Sequence, residues 1–171
     1  MAFEPELPTI IDLEASGFGQ GSYPIEVGFI LSQGGSYCSL IRPAPHWTHW
    51  DPGAEKLHHV TPQILALHGK PARDVALVLN ERLRGQVVYS DGWANDYSWL
   101  GLLFDEVGMR PAFRLENLRR ILSEDEAAGW HAAKGAVLGK APQERHRAST
   151  DARVIQQTLA SLRTGNPFPG R

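Results

Sequence analysis

The 171-residue chain predicts an α/β fold, a mixed sheet flanked by helices. Three features predict it. Short apolar or alternating runs near the N-terminus read as a strand meander. Further apolar runs then alternate with amphipathic helical segments. No internal repeat, low-complexity stretch or linker interrupts the order, so residues 1–171 are expected to form one domain, with a core over about 8–163 and a loose tail over 164–171.

Thr9 to Glu14 is apolar and ends in acids, as a strand would. Gly17-Phe18-Gly19-Gln20-Gly21-Ser22 is a turn, followed by strands over Pro24–Ser32 and Ser36–Ile41. Residues 42–55, rich in Pro, His and Trp, read as loop. Thr61-Pro62 starts a helix, with threonine as cap and proline in the first position. Pro71 opens another, whose Val75, Val78, Leu79 and Leu83 share a face and which Gly85 stops. Gln86–Ser90 reads as a buried strand. Asp96–Val107 is a helix with Trp99, Leu100, Leu103, Phe104 and Val107 on one side. Residues 112–122 suit a short strand and then a helix. Residues 123–145 mix helix formers with Gly129, Gly135, Gly139 and Pro142, which predicts no definite order. Ser149 or Thr150 caps a last helix carrying Val154, Ile155, Leu159 and Leu162.

Hydrophobic residues make up 42% and charged residues 21% of the chain, a globular balance. No apolar run reaches membrane-span length, and the acidic start Met1-Ala2-Phe3-Glu4-Pro5-Glu6 lacks a signal-peptide layout, so no membrane association is expected. The single cysteine, Cys38, excludes an internal disulfide and suits a reducing, cytoplasmic setting. A net charge of −2 argues against a broad phosphate-coating surface. It is compatible with a site that grips a few terminal nucleotides and leaves phosphate neutralisation to metal ions.

Asp12 and Glu14 stand two apart in a strand, so both leave one face while Ile11 and Leu13 take the other. Chance yields about 0.5 Asp-x-Glu triplets in a chain of this composition, so the spacing says little and the apolar strand around it says more. Paired carboxylates repel unless a cation lies between them, and hard divalent ions prefer oxygen ligands. The alternative is two solvent-facing acids on an edge strand. The following glycines meet neither dinucleotide-binding nor phosphate-loop patterns. Asp96 opens a helix just after a strand, where a first-turn acid also complements the helix dipole; Asp91, at the strand end, is its rival. His146 and Asp151 lie five apart around the start of the last helix. A loop histidine can take a proton from water near neutral pH. His46 and Asp51 share that spacing, but Pro52-Gly53 follows and predicts no helix there. A zinc site built from His46, His49, His58 and His59 fits no familiar ligand pattern.

Taken in order, acid pair, acid, then histidine and acid, the chain resembles the DEDD exonuclease superfamily, in the branch with a histidine in its third motif. That branch includes polymerase proofreading subunits, RNase T and oligoribonuclease. Asp12 and Glu14 match its first motif, Asp96 its second, His146 and Asp151 its third. Ile25-Glu26-Val27-Gly28 resembles its second-strand signature, and Leu57-His58-His59-Val60-Thr61 its "HGIT" segment. The chain departs from the pattern in Ala15-Ser16 after the acid pair, in Ser90-Asp91 where His-Asn is usual, and in lacking the tyrosine-rich segment of oligoribonuclease. The resemblance implies an RNase H-like fold and 3′–5′ exonuclease activity on single-stranded DNA or RNA ends, releasing nucleoside monophosphates. It implies two Mg²⁺ or Mn²⁺ ions about 3.5–4 Å apart. Asp12 would bridge them, Glu14 and Asp151 would complete one site, Asp96 would help hold the other ion, and His146 would be the general base. Ala15, Ser16 and Phe18 would contact the terminal nucleotide, with Trp47, Trp50 or Trp93 as further stacking candidates. A homodimer is compatible with this reading. The competing class is a non-catalytic, exonuclease-like module that binds nucleic acid or protein.

Overall fold

A computed structural model describes residues 6–140 and 147–165. Strands β1 (Ile10–Ala15), β2 (Pro24–Ile30) and β3 (Ser36–Leu40) form the meander. Three helices follow: α1 (Pro52–His58), α2 (Pro62–His68) and α3 (Ala72–Arg82). Then come β4 (Val87–Ser90), α4 (Trp93–Glu106), β5 (Arg114–Asn117), a 3₁₀ turn at Leu118–Ile121, α5 (Glu124–Leu138) and α6 (Ala148–Thr164). The sheet order is β3-β2-β1-β4-β5. The β1–β2 and β2–β3 pairs are antiparallel, and β1–β4 and β4–β5 are parallel. The expected mixed sheet with flanking helices is the architecture observed.

The side-chain period of two divides the sheet into two faces. Ile11, Leu13, Ala15, Val27 and Phe29 point to the face covered by α3 and α4, where Val75, Leu79, Leu103 and Phe104 complete a fully apolar core. Ile10 and Ile30 point the other way, against Ala152, Ile155 and Leu159 of α6. Asp12 and Glu14 share the parity of Ile10 and so lie on the α6 face. A third, smaller cluster of Tyr23, Ile25, Val60 and Leu65 closes the sheet beneath α1 and α2.

Five expectations need correcting. The supposed loop 42–55 contains the start of α1: Asp51 is its N-cap and accepts the Gly53 N–H at 2.8 Å, and Pro52 sits in the first turn. Pro-Gly after an aspartate predicts no helix, yet proline in a first turn gives up no hydrogen bond. Helix α4 begins at Trp93, so Asp96 is within its first turn and does not begin it. Residues 124–138 form a regular helix despite their glycines, because Ser123 and Glu126 make a capping box. Neither Ser149 nor Thr150 caps α6; Arg147 occupies the cap position and both lie inside the helix. Thr164, assigned to the tail, is the last residue of α6, and Gly165 ends it in the left-handed conformation at φ 64°; 166–171 lie outside the described residues. Among the described residues, no helix is long and apolar enough to cross a membrane.

Candidate metal centre and adjoining cleft

The acid pair emerges at the C-terminal end of β1, on the face that α6 crosses. Helix α6 delivers Asp151 from its first turn. Carboxylate oxygens of Asp12, Glu14 and Asp151 all lie within 4.8 Å of one another. Oxygens around one divalent ion stand up to about 4–5 Å apart, so this donor set fits a hard cation after a small contraction. Among the described residues these three form the one such group with potential metal ligands, and His46, His49, His58 and His59 form none.

Asp96 reaches the same acids from the other side. Its carboxylate is buried, accepts the Ser90 hydroxyl, and takes a backbone hydrogen bond from Leu13. The Ser90 oxygen in turn accepts the Gly92 N–H at 3.0 Å, which fixes the β4–α4 turn. Asp12 and Glu14 thus border two cavities. One, of about 240 Å³, has Asp96, Asn95, Gly92 and Trp99 on one wall and Ala54, Leu57 and His58 of α1 on another. The second, of about 220 Å³, holds Asp151, Asp91 and Lys134. Asp91 and Asp96 differ in position: Asp96 faces the first cavity, whereas Asp91 faces the second and is ion-paired with Lys134 of α5 at 2.5 Å.

The electrostatics follow from burial and crowding. Asp12 is held well above the usual carboxylate range, first by burial and then by the charges of Asp96, Glu14, Asp151 and Asp91. It senses acids on both sides of the strand, as Glu14 also does. Burial also pushes Glu14 up to about 8, helped by the Asp151 charge, a side-chain hydrogen bond with Asp151, and the charges of Glu26 and Asp96. Asp96 rises to about 7 through burial, opposed by its Ser90 hydrogen bond. A divalent cation among these groups would invert that pattern and favour the ionised forms.

The remaining expected residues divide. Ala15 and Phe18 line the first cavity. Phe18 is two-thirds exposed, with its ring 5.9 Å from that of Trp99. Ser16 is fully buried and does not line the cavity: its hydroxyl meets His49 Nδ1 at 3.0 Å and accepts the Tyr23 N–H at 3.1 Å. Its place is structural, because the chain must turn sharply at Gly17, where a Cβ would stand 2.7 Å from Asp51 and His49. Trp47, Trp50 and Trp93 do not line the cavity either; they pack on Tyr23, on His58 and on Tyr97. Trp99 is the tryptophan that does, anchored by its indole N–H to Ser22 at 3.0 Å. Helical periodicity places it on one side of the helix with Leu100, Leu103, Phe104 and Val107, and does not separate a core face from a cleft wall. Leu57, half exposed at the mouth, belongs to the unforeseen α1. His146 lies outside the described residues. Its neighbour Arg147 is seated against Glu26, 3.0 Å from Nε to Oε1, directly before α6.

No family model matches the chain, and no curated protein does. Solved structures do match in fold. Escherichia coli exonuclease I in complex with a dT13 oligonucleotide superposes with a TM-score of 0.69 at 16% identity, over 94% of this chain and 42% of that one. The zinc-ion-bound E. coli exonuclease I complex with single-stranded DNA gives 0.65 at 16% identity over the same shares. A moderately thermophilic exonuclease I from Methylocaldum szegediense gives 0.60 at 17% identity, over 94% and 41%. The chain therefore spans about two-fifths of the length of these exonucleases, and what it shares with them is the α/β, RNase H-like exonuclease fold.

Proposed function

We propose that the chain is a metal-dependent nuclease that removes nucleoside monophosphates from the 3′ ends of single-stranded nucleic acid. One observation carries the reading: the acid pair of β1 meets Asp151 of α6 on one side and Asp96 of α4 on the other, at the rim of an apolar-walled cleft. A surface cluster of acids would have no reason to be partly buried and crowded enough to raise three pKa values. The exonuclease I fold supports the same class of chemistry, and those relatives are described with single-stranded oligonucleotides.

Asp12, Glu14 and Asp151 would hold one divalent ion, and Asp12 with Asp96 a second. Such ions, Mg²⁺ or Mn²⁺, supply Lewis acidity and a water deprotonated near neutral pH. The protein's own part is placement. The cleft between α1 and α4 is apolar at its mouth, where Phe18, Leu57 and Trp99 suit the face of a nucleobase. Ala15 leaves space beside the acid pair for the sugar and phosphate. His146, on the segment entering α6, would take the proton from the attacking water.

The test is digestion of end-labelled DNA and RNA single strands of matched sequence, with and without Mg²⁺ or Mn²⁺. Shortening from the 3′ end that requires the ion is expected. Binding of strand and ion with no hydrolysis would instead make the chain a recognition module.

A further inference from the structure

Helix α6 carries Asp151, yet it has no side-chain cap of its own, since Arg147 in the cap position contributes none. Uncapped first-turn N–H groups cost stability unless something else accepts from them. Here the acceptor comes from the neighbouring strand. Glu26 of β2 is fully buried. Its Oε2 accepts the Ala148 N–H at 3.3 Å. Its Oε1 pairs with Arg147 Nε at 3.0 Å and accepts the Cys38 thiol at 3.0 Å. Two residues further along the same face, Gly28 makes room for the helix: a Cβ there would stand 2.2 Å from the Ser149 nitrogen. Glu26 also lies directly opposite Glu14 in the β1–β2 register. One residue pair of the sheet therefore bears a site carboxylate on β1 and the anchor of the opposing helix on β2.

A buried ion pair is weak evidence for stability, because well-packed apolar groups commonly serve as well. What the pair does supply is a fixed height and rotation for the first turn of α6. We propose that Glu26, with Arg147, is a positioning residue. It sets Asp151 against Asp12 and Glu14, and so sets the cation affinity of that cluster. The consequence for hydrolysis rests on the nuclease reading; the seating of α6 does not. Partners behind metal ligands typically change affinity or activity by about 10–100-fold when altered.

The test compares the whole protein with Glu26→Gln, Arg147→Ala and Gly28→Ala, using Mn²⁺ titration by calorimetry, amide hydrogen exchange over residues 148–151, and hydrolysis of a labelled single strand. Glu26→Gln keeps an acceptor for Ala148 and loses the ion pair. It should weaken Mn²⁺ binding about tenfold or more, speed exchange in the first turn of α6, and lower kcat more than it raises KM. Arg147→Ala, at a half-exposed side chain that the fold can spare, should do the same to a smaller degree and keeps the test alive if Glu26→Gln fails to fold. Gly28→Ala should disturb the same turn by steric contact. The proposal is overturned if the folded variants bind Mn²⁺ within twofold of the parent and exchange at the parent's rate. A parent that neither binds Mn²⁺ nor cuts the strand would refute the nuclease reading, while exchange would still decide whether Glu26 seats α6.

Discussion

The two faces of the central sheet are built by opposite rules. Beneath α3 and α4, Ile11, Leu13, Val27 and Phe29 pack in an apolar cluster, with the Arg82 guanidinium over the Phe29 ring at 5.8 Å, and are almost completely excluded from solvent. Beneath α6, the same strands present Asp12, Glu14 and Glu26 among Ile10 and Ile30. Burial on the first face stabilises; burial on the second opposes ionisation and raises the pKa values of Asp12 and Glu14. The first face can hold the second in an unfavourable arrangement, and such repulsion makes sense where a cation is expected to arrive. Functional residues commonly sit where local stability has been given up in this way.

The strongest way to separate the faces is Asp12→Ala. It should reduce hydrolysis by about 10³-fold or more, on the scale of removing a group that stabilises developing charge. The metal-free melting temperature should stay the same or rise, since Asp12 is the centre of the repulsion. Full hydrolysis by this variant would remove Asp12 from the site. His146→Ala should lower the rate by about 10²–10⁴-fold at neutral pH with cation binding retained, read from paired rate and titration measurements.

Next in size is Phe29→Ala on the apolar face, which should cost about 3–5 kcal/mol in denaturant unfolding. A loss under about 1 kcal/mol would mean that the α3/α4 face is not where stability resides.

The pH dependence comes third. Glu14 and Asp96 have folded-state values of about 8 and about 7, above their ordinary ones of 4.5 and 3.8. Protonation therefore favours the folded state. That contribution is fully present below about pH 4 and is lost as pH rises through about 7 to 8. Metal-free protein should melt several degrees lower at pH 8.5 than at pH 5.5, given that 1 kcal/mol moves Tm by about 2–4 °C at this size. Saturating Mg²⁺ should shrink the difference, with protons released on binding near pH 7. A metal-free Tm that climbs over this range would contradict the crowding of the acids. Smallest is Phe18→Ala at the cleft mouth: losing about 1 kcal/mol of base stacking should raise KM roughly fivefold with little change in kcat. An unchanged KM would place the base elsewhere.

The legible part of the site was local. Asp12 and Glu14 on one face of β1 follow from strand periodicity, and the apolar remainder of that strand marks it as buried. Asp151 near the start of the last helix follows from the amphipathic run after it. The cleft wall was not legible. Helix α1 depends on Asp51 capping a turn that Pro52-Gly53 suggested was broken. Trp99 has core periodicity and becomes a cleft residue only because α1 stands opposite it. Ser16 shows the converse: it follows the acid pair in sequence, yet Tyr23 and His49 claim its hydroxyl.

The sequence by itself determined the order of the strands and of helices α2, α3, α4 and α6, the two faces of β1, and which acids were candidates to act together. These depend on periods of two and 3.6 residues, which act over a few neighbours. Only the tertiary structure decided that Asp96 and Asp91 face different cavities, that Leu57 and Trp99 form opposing walls, and that Glu26 seats the helix bearing Asp151. Those relations join residues up to 122 positions apart. They are fixed by how helices settle on the sheet, and local spacing does not encode that.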